Sequence, residues 1–184
     1  NLSKNNFYAK EVQRFKQIIS SPNYLSAIYI FKHAIENNHI NDIRIMLELG
    51  FISKKSNINT KDLLVNALEN GNNEIVKLFM QHGANPNAKL CGGETPLSKA
   101  ISIEKLNIIK ELLIHGADPN AKLCGSETPL SKAISIGNSD IIHELLAHGA
   151  DPEARLCGGA TPLTRALAME NNEVVNTLVN FRAE

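Results

Sequence analysis

The sequence predicts an all-α solenoid of about five helix-turn-helix repeats with hairpin-like loops, preceded by an N-terminal capping helix. Three observations predict it. The stretch HGANPNAKLCGGETPLSKAISI, from His82 to Ile103, returns 33 residues later at His115 as HGADPNAKLCGSETPLSKAISI, and more loosely at His148 as HGADPEARLCGGATPLTRALAM. Each copy holds two short apolar patterns at helical spacing with a break between them. One such copy is too small to bury its own apolar face, so copies at a fixed interval must stack and share a core.

Residues 1–28 stand outside the repeat register. Tyr8, Val12, Phe15 and Ile19 fall at i, i+4, i+7 and i+11, the spacing of an amphipathic helix, with Ser3 or Asn5 as its candidate cap. An end repeat needs a polar outer face, so this region is assigned as the cap. Ser21-Pro22 marks a second start that runs into an unusually long first helix of repeat one. The repeat domain covers 29–184, with repeats near 29–61, 62–94, 95–127, 128–160 and a truncated 161–184. A chain that opens on Asn and stops inside a repeat reads as an excised or processed piece.

Repeat three shows the local logic. Thr95 can cap a helix whose first residue, Pro96, has no N–H to leave unsatisfied. Leu97, Ala100 and Ile101 then share one face. A break follows, marked by Gly71 in repeat two and Gly137 in repeat four. The second helix carries Ile108, Ile109, Leu112 and Leu113, and Gly116 stops it as a left-handed cap. The polar stretch after it, with Pro119 and Gly125, is turn-forming.

TPLSKA, HGADPNA and the 33-residue interval resemble the ankyrin repeat, whose pattern reads TPLHxA and then GADxNA before the hairpin. The likeness spans roughly 29–184 and is sharpest in repeats three to five. It implies first helices lining a concave face and hairpins projecting as fingers. The usual His after TPL is Ser98, Ser131 and Thr164 here, a change expected to weaken hydrogen bonding between adjacent turns. The usual Asp at the hairpin entry is Leu90, Leu123 and Leu156, apolar residues that either pack between hairpins or meet a partner.

Chemistry is sparse. Cys91, Cys124 and Cys157 are one position copied along the stack. Stacked helices lie about 8–10 Å apart, beyond the roughly 7 Å reach of a disulfide, so free thiols near the hairpins are expected. An odd thiol count suits a reducing, cytoplasmic compartment. His82, His115 and His148 precede the helix-stopping glycines, where an imidazole can meet the last carbonyls. No phosphate loop, nucleophile elbow or two-histidine zinc motif is present, so no catalytic residue, metal or cofactor is assigned and the chain is read as a non-enzyme. Nineteen basic residues against nineteen acidic ones argue against a nucleic-acid binder, and no apolar run reaches the length of a membrane span.

What remains is a surface. With Leu97, Ala100 and Ile101 inward, Lys99, Ser102 and Ile103 share the opposite face; their counterparts are Lys132, Ser135, Ile136 and Arg165, Ala168, Met169. The same positions in repeats one and two are His33, Glu36, Asn37 and Asn66, Glu69, Asn70. Together with the hairpin residues Leu90, Cys91, Glu94, Leu123, Cys124, Glu127, Leu156 and Cys157, the last three repeats give a candidate protein-binding surface with a basic row beside an apolar one. A second reading tucks Ile103 and Ile136 between helices and leaves no apolar strip, and a third takes the matching side chains of near-identical repeats as the trace of recent duplication. The complementary partner is a helix or extended segment with apolar anchors and carboxylates, held by a monomer. The functional classes this leaves are a scaffold or adaptor, an inhibitor of a partner enzyme, or the targeting part of a larger enzyme. The resemblance adds an effector that an intracellular bacterium delivers into the host cytosol.

Overall fold

The computed structural model describes residues 2–19, 24–50, 60–123, 125 and 127–183. These residues form helices in consecutive antiparallel pairs, with no strand among them. The chain divides into two compact bodies, Asn1–Asn85 and Pro86–Glu184.

The N-terminal body opens with α1 (Leu2–Ile19), followed by α2 (Tyr24–Glu36), α3 (Ile40–Glu48), α4 (Thr60–Asn70) and α5 (Asn73–Gln81). Helix α1 begins at Leu2, so Ser3 and Asn5 lie within it and are not its caps. It packs on α2 and α3 and buries Phe15. The side chains of Tyr8 and Ile19 lie outside the described residues. Helix α2 runs 13 residues where the corresponding helix of repeat three has 7, matching the long first helix read from the sequence. Helices α2 and α4 stack, as do α3 and α5. Between the layers Phe31 meets Phe79 edge to face with ring centres 5.6 Å apart, a favoured geometry for two quadrupoles. Asn70, placed on the exposed row by helical spacing, is exposed and also donates from Nδ2 to the carbonyls of Ile35 and Glu36 at the end of α2.

The C-terminal body holds α6 (Pro96–Ser102), α7 (Leu106–Ile114), α8 (Pro129–Ile136), α9 (Ser139–Ala147), α10 (Pro162–Ala168) and α11 (Asn172–Ala183). First helices form one layer, α6 on α8 on α10, and second helices another, α7 on α9 on α11. Thr95, Thr128 and Thr161 cap α6, α8 and α10, each followed by Pro. The residue three positions on completes a reciprocal box: Ser98 Oγ accepts from the Thr95 N–H at 2.9 Å, and the Ser98 N–H donates to Thr95 Oγ1 at 3.2 Å. The hydroxyl proton of Ser98 goes to the Thr95 carbonyl at 3.0 Å, so this side chain closes the first turn of its own helix. Ser131 and Thr164 repeat the arrangement.

Second helices end alike. His115 and His148 donate from Nδ1–H to the carbonyls of Glu111 and Glu144 at 2.9 and 3.0 Å. Gly116 follows at φ +85°, where the Ala117 N–H returns to the Leu112 carbonyl at 2.9 Å. The core between the layers is aliphatic: Leu97, Ala100, Ile101, Ile109, Leu130, Ala133, Ile134, Ile142, Leu145 and Ala166 are all buried.

Candidate protein-binding surface

Capping by Thr-Pro sets the rotation of each first helix, and the burial of Leu97, Ala100 and Ile101 sends the opposite face outward. Ser102, Ser135 and Ala168 are exposed there in a row. Beside them Ile103 is half-buried, Ile136 is 37% exposed and Met169 is 43% exposed. The exposure of these apolar side chains rises from Ile103 to Met169. The serines are partly occupied: Ser102 Oγ donates to the Ser98 carbonyl at 3.0 Å and Ser135 Oγ to the Ser131 carbonyl at 2.9 Å.

The basic row differs from a simple line of free cations. Lys132 Nζ sits 2.8 Å from Glu94 Oε1 of the hairpin that leads into α6, one repeat before its own helix, a half-buried pair that neutralises both. Arg165 Nη2 donates to Ser135 Oγ at 2.8 Å, tying repeat five to repeat four. Lys99 and Glu127 are half-buried. An ion pair this accessible is worth about 0–1 kcal/mol, so a partner carboxylate can compete with Glu94 for Lys132.

The hairpins hold two kinds of residue. Leu90 and Leu156 are buried and Leu123 half-buried, so these leucines pack beneath the loops rather than offering surface. The Leu90 N–H donates to the Glu94 carbonyl at 2.8 Å, closing a short loop around a 3-10 turn at Cys91–Gly93. Cys91 is a free, exposed thiol at the tip. Cys124 and the side chain of Cys157 lie outside the described residues.

Asparagines link the hairpins, a role that the sequence reading does not assign. Asn87 Nδ2 donates to the Gly116 carbonyl at 2.9 Å while its Oδ1 accepts from the Asp118 N–H at 2.8 Å. Asn120 does the same one repeat on, to Gly149 and Asp151. Each amide thus clamps one hairpin to the next, and the 33-residue recurrence of Asn was the available signal. At the corresponding place repeat four has Glu153, whose carboxylate cannot donate.

Among the described residues no group of three or more His, Cys, Asp or Glu could hold a metal ion, and no helix is long and apolar enough to cross a membrane. Comparison with curated proteins gives no match. The family profile described as ankyrin repeats (3 copies) matches residues 31–123 and again 103–184. Paired helices, Thr-Pro caps, glycine-stopped second helices and this match agree: the chain belongs to the ankyrin-repeat family, whose repeats generally serve as protein–protein interaction modules.

Proposed function

We propose that the protein is a scaffold or adaptor that holds a partner protein against the exposed side of α6, α8 and α10. The observation that carries this is the pair Ile136 and Met169, large apolar side chains left 37% and 43% exposed at equivalent places one repeat apart. Apolar side chains in a contiguous exposed row favour a partner that covers them. Ser102, Ser135 and Ala168 are small enough to let a helix or extended segment approach closely. Carboxylates on that segment would engage Lys99, Lys132 and Arg165 at the edge. Because Glu94 already pairs with Lys132, such contacts set orientation and specificity, and the apolar anchors supply most of the affinity.

The test is capture of binding partners, identified by mass spectrometry, with the wild-type chain and the Ile136→Asp variant, followed by affinity measurement on the recovered partner. A central apolar anchor carries about 2 kcal/mol or more, roughly a thirty-fold loss of affinity on removal. Ile136→Asp is therefore expected to release the partner while keeping its helical circular dichroism. Undiminished binding by the variant would remove this strip from the interface, and collapse of the fold would make Ile136 a core residue.

A further inference from the structure

We propose that the hairpins of the C-terminal body form a second binding surface, a row of cations that takes an extended acidic peptide segment with a carboxylate at every third residue. It is independent of the strip on α6, α8 and α10.

Lys89, Lys122 and Arg155 occupy one position copied at the 33-residue interval, and all three are exposed. Neither lysine has a hydrogen-bond or ion-pair partner among the described residues. Arg155 Nη1 donates to the Gly159 carbonyl at 3.0 Å, which holds the guanidinium on its own loop and leaves its other N–H groups to a partner. The aspartates of the same loops are engaged locally. Asp118 Oδ1 accepts from the Asn120 N–H and Asp151 Oδ1 from the Glu153 N–H, both at 2.8 Å.

Lys122 and Arg155 line one recess of about 440 Å³, together with Asn120, Thr128 and Asp151. The amide of Asn120 ties the two hairpins that bound it, so the cations are held in register before anything binds. Thr128 Oγ1 accepts from the Ser131 N–H at 3.1 Å, which leaves its hydroxyl proton to donate.

Charge selects the ligand group. Two cations and the Asp151 carboxylate leave this lining one positive charge in excess. A single carboxylate neutralises it, whereas a phosphate dianion would overshoot beside Asp151. The chain's formal net charge is zero, so it has no general attraction for a polyanion such as nucleic acid.

Spacing selects the backbone. Stacked helices set successive repeats about 8–10 Å apart, and the cations recur once per repeat. A polyproline II segment rises about 3.1 Å per residue with three residues per turn, so every third side chain returns to one face after about 9 Å. A β-strand returns every second residue after about 7 Å and falls out of step. Each contact is exposed and weak alone, so binding needs two or three together and fades with salt.

The test is titration of the isotope-labelled chain with the synthetic peptide acetyl-PPEPPEPPE, followed by amide chemical shifts at low salt. Shifts are expected around Lys89, Lys122 and Arg155, with a dissociation constant on the order of 1 mM. The isomer acetyl-PEPEPEPPP, with glutamates at alternate positions, should bind several-fold more weakly. Lys122→Ala, at an exposed site without bonds to lose, should weaken the first peptide several-fold, while Lys105→Ala and Ile136→Asp leave it unchanged. No shifts at about 5 mM peptide would overturn the proposal. So would equal losses in Lys105→Ala and Lys122→Ala, equal binding of the two peptides, or tighter binding of a phosphopeptide or RNA to the same residues. Loss of binding in Ile136→Asp alone would move the peptide to the strip on α8 and overturn it too.

Discussion

Asn38, Gly71, Glu104, Gly137 and Glu170 all have positive φ, between 52° and 84°, and they recur at the repeat interval. The tight turn between the two helices of every repeat demands a left-handed residue, yet only two repeats supply glycine. A side chain with a Cβ costs about 1–2 kcal/mol in that conformation. Glu104 gives back little, since its Oε2 accepts only a long 3.3 Å bond from Asn138 Nδ2 at an exposed site. Glu104→Gly should therefore stabilise the protein by about 0.5–1 kcal/mol, read as a higher urea midpoint at constant slope. A lower midpoint would show that Asn138 depends on the carboxylate more than the geometry suggests. The glycines at 71 and 137 announced this turn in the sequence; Glu104 and Glu170 hid it, because nothing local in a glutamate signals positive φ.

Three second helices share a cap of their own, which α3 and α7 lack. Asn72, Asn138 and Asn171 each accept backbone N–H groups at the start of α5, α9 and α11, at 3.0, 3.2 and 3.2 Å for the shortest bond of each. Helix α7 begins instead at Lys105, which offers no side-chain cap. Lys105→Asn should add about 1 kcal/mol, visible as slower amide exchange in the first turn of α7 and a higher midpoint. No change in either would mean that the Lys105 backbone, at φ −92° and ψ 81°, holds an Asn side chain away from the first turn. First-helix caps were legible at once, because Thr-Pro acts within four residues. The clamps through Asn87 and Asn120 were not, since their partners lie 29 to 31 residues away.

Stability of the array is shared between neighbours, so loss of one repeat should be felt in the next. Deleting 161–184 bares Leu130, Ile134, Ile142 and Leu146, all buried in the intact chain. Exposure of aliphatic side chains costs about 1.5–3 kcal/mol each when complete, and about 1 kcal/mol moves Tm by about 2–4 °C in a chain of this size. The shortened protein should melt about 5–10 °C lower and bind an apolar dye. An unchanged Tm with no dye binding would mean that repeat four stands without its neighbour.

Sequence by itself determined the period, the helix pairs, the Thr caps and the inward face of each first helix, because these follow from contacts within a few residues and from helical geometry. It also nominated the strip that contains Ile136 and Met169. Tertiary structure alone decided which equivalent positions are equivalent in fact. Leu90 and Leu156 went beneath the loops, and Lys132 was neutralised by a glutamate 38 residues before it. A periodic sequence writes the same kind of residue at each repeat, but burial and charge depend on which neighbour lies against it.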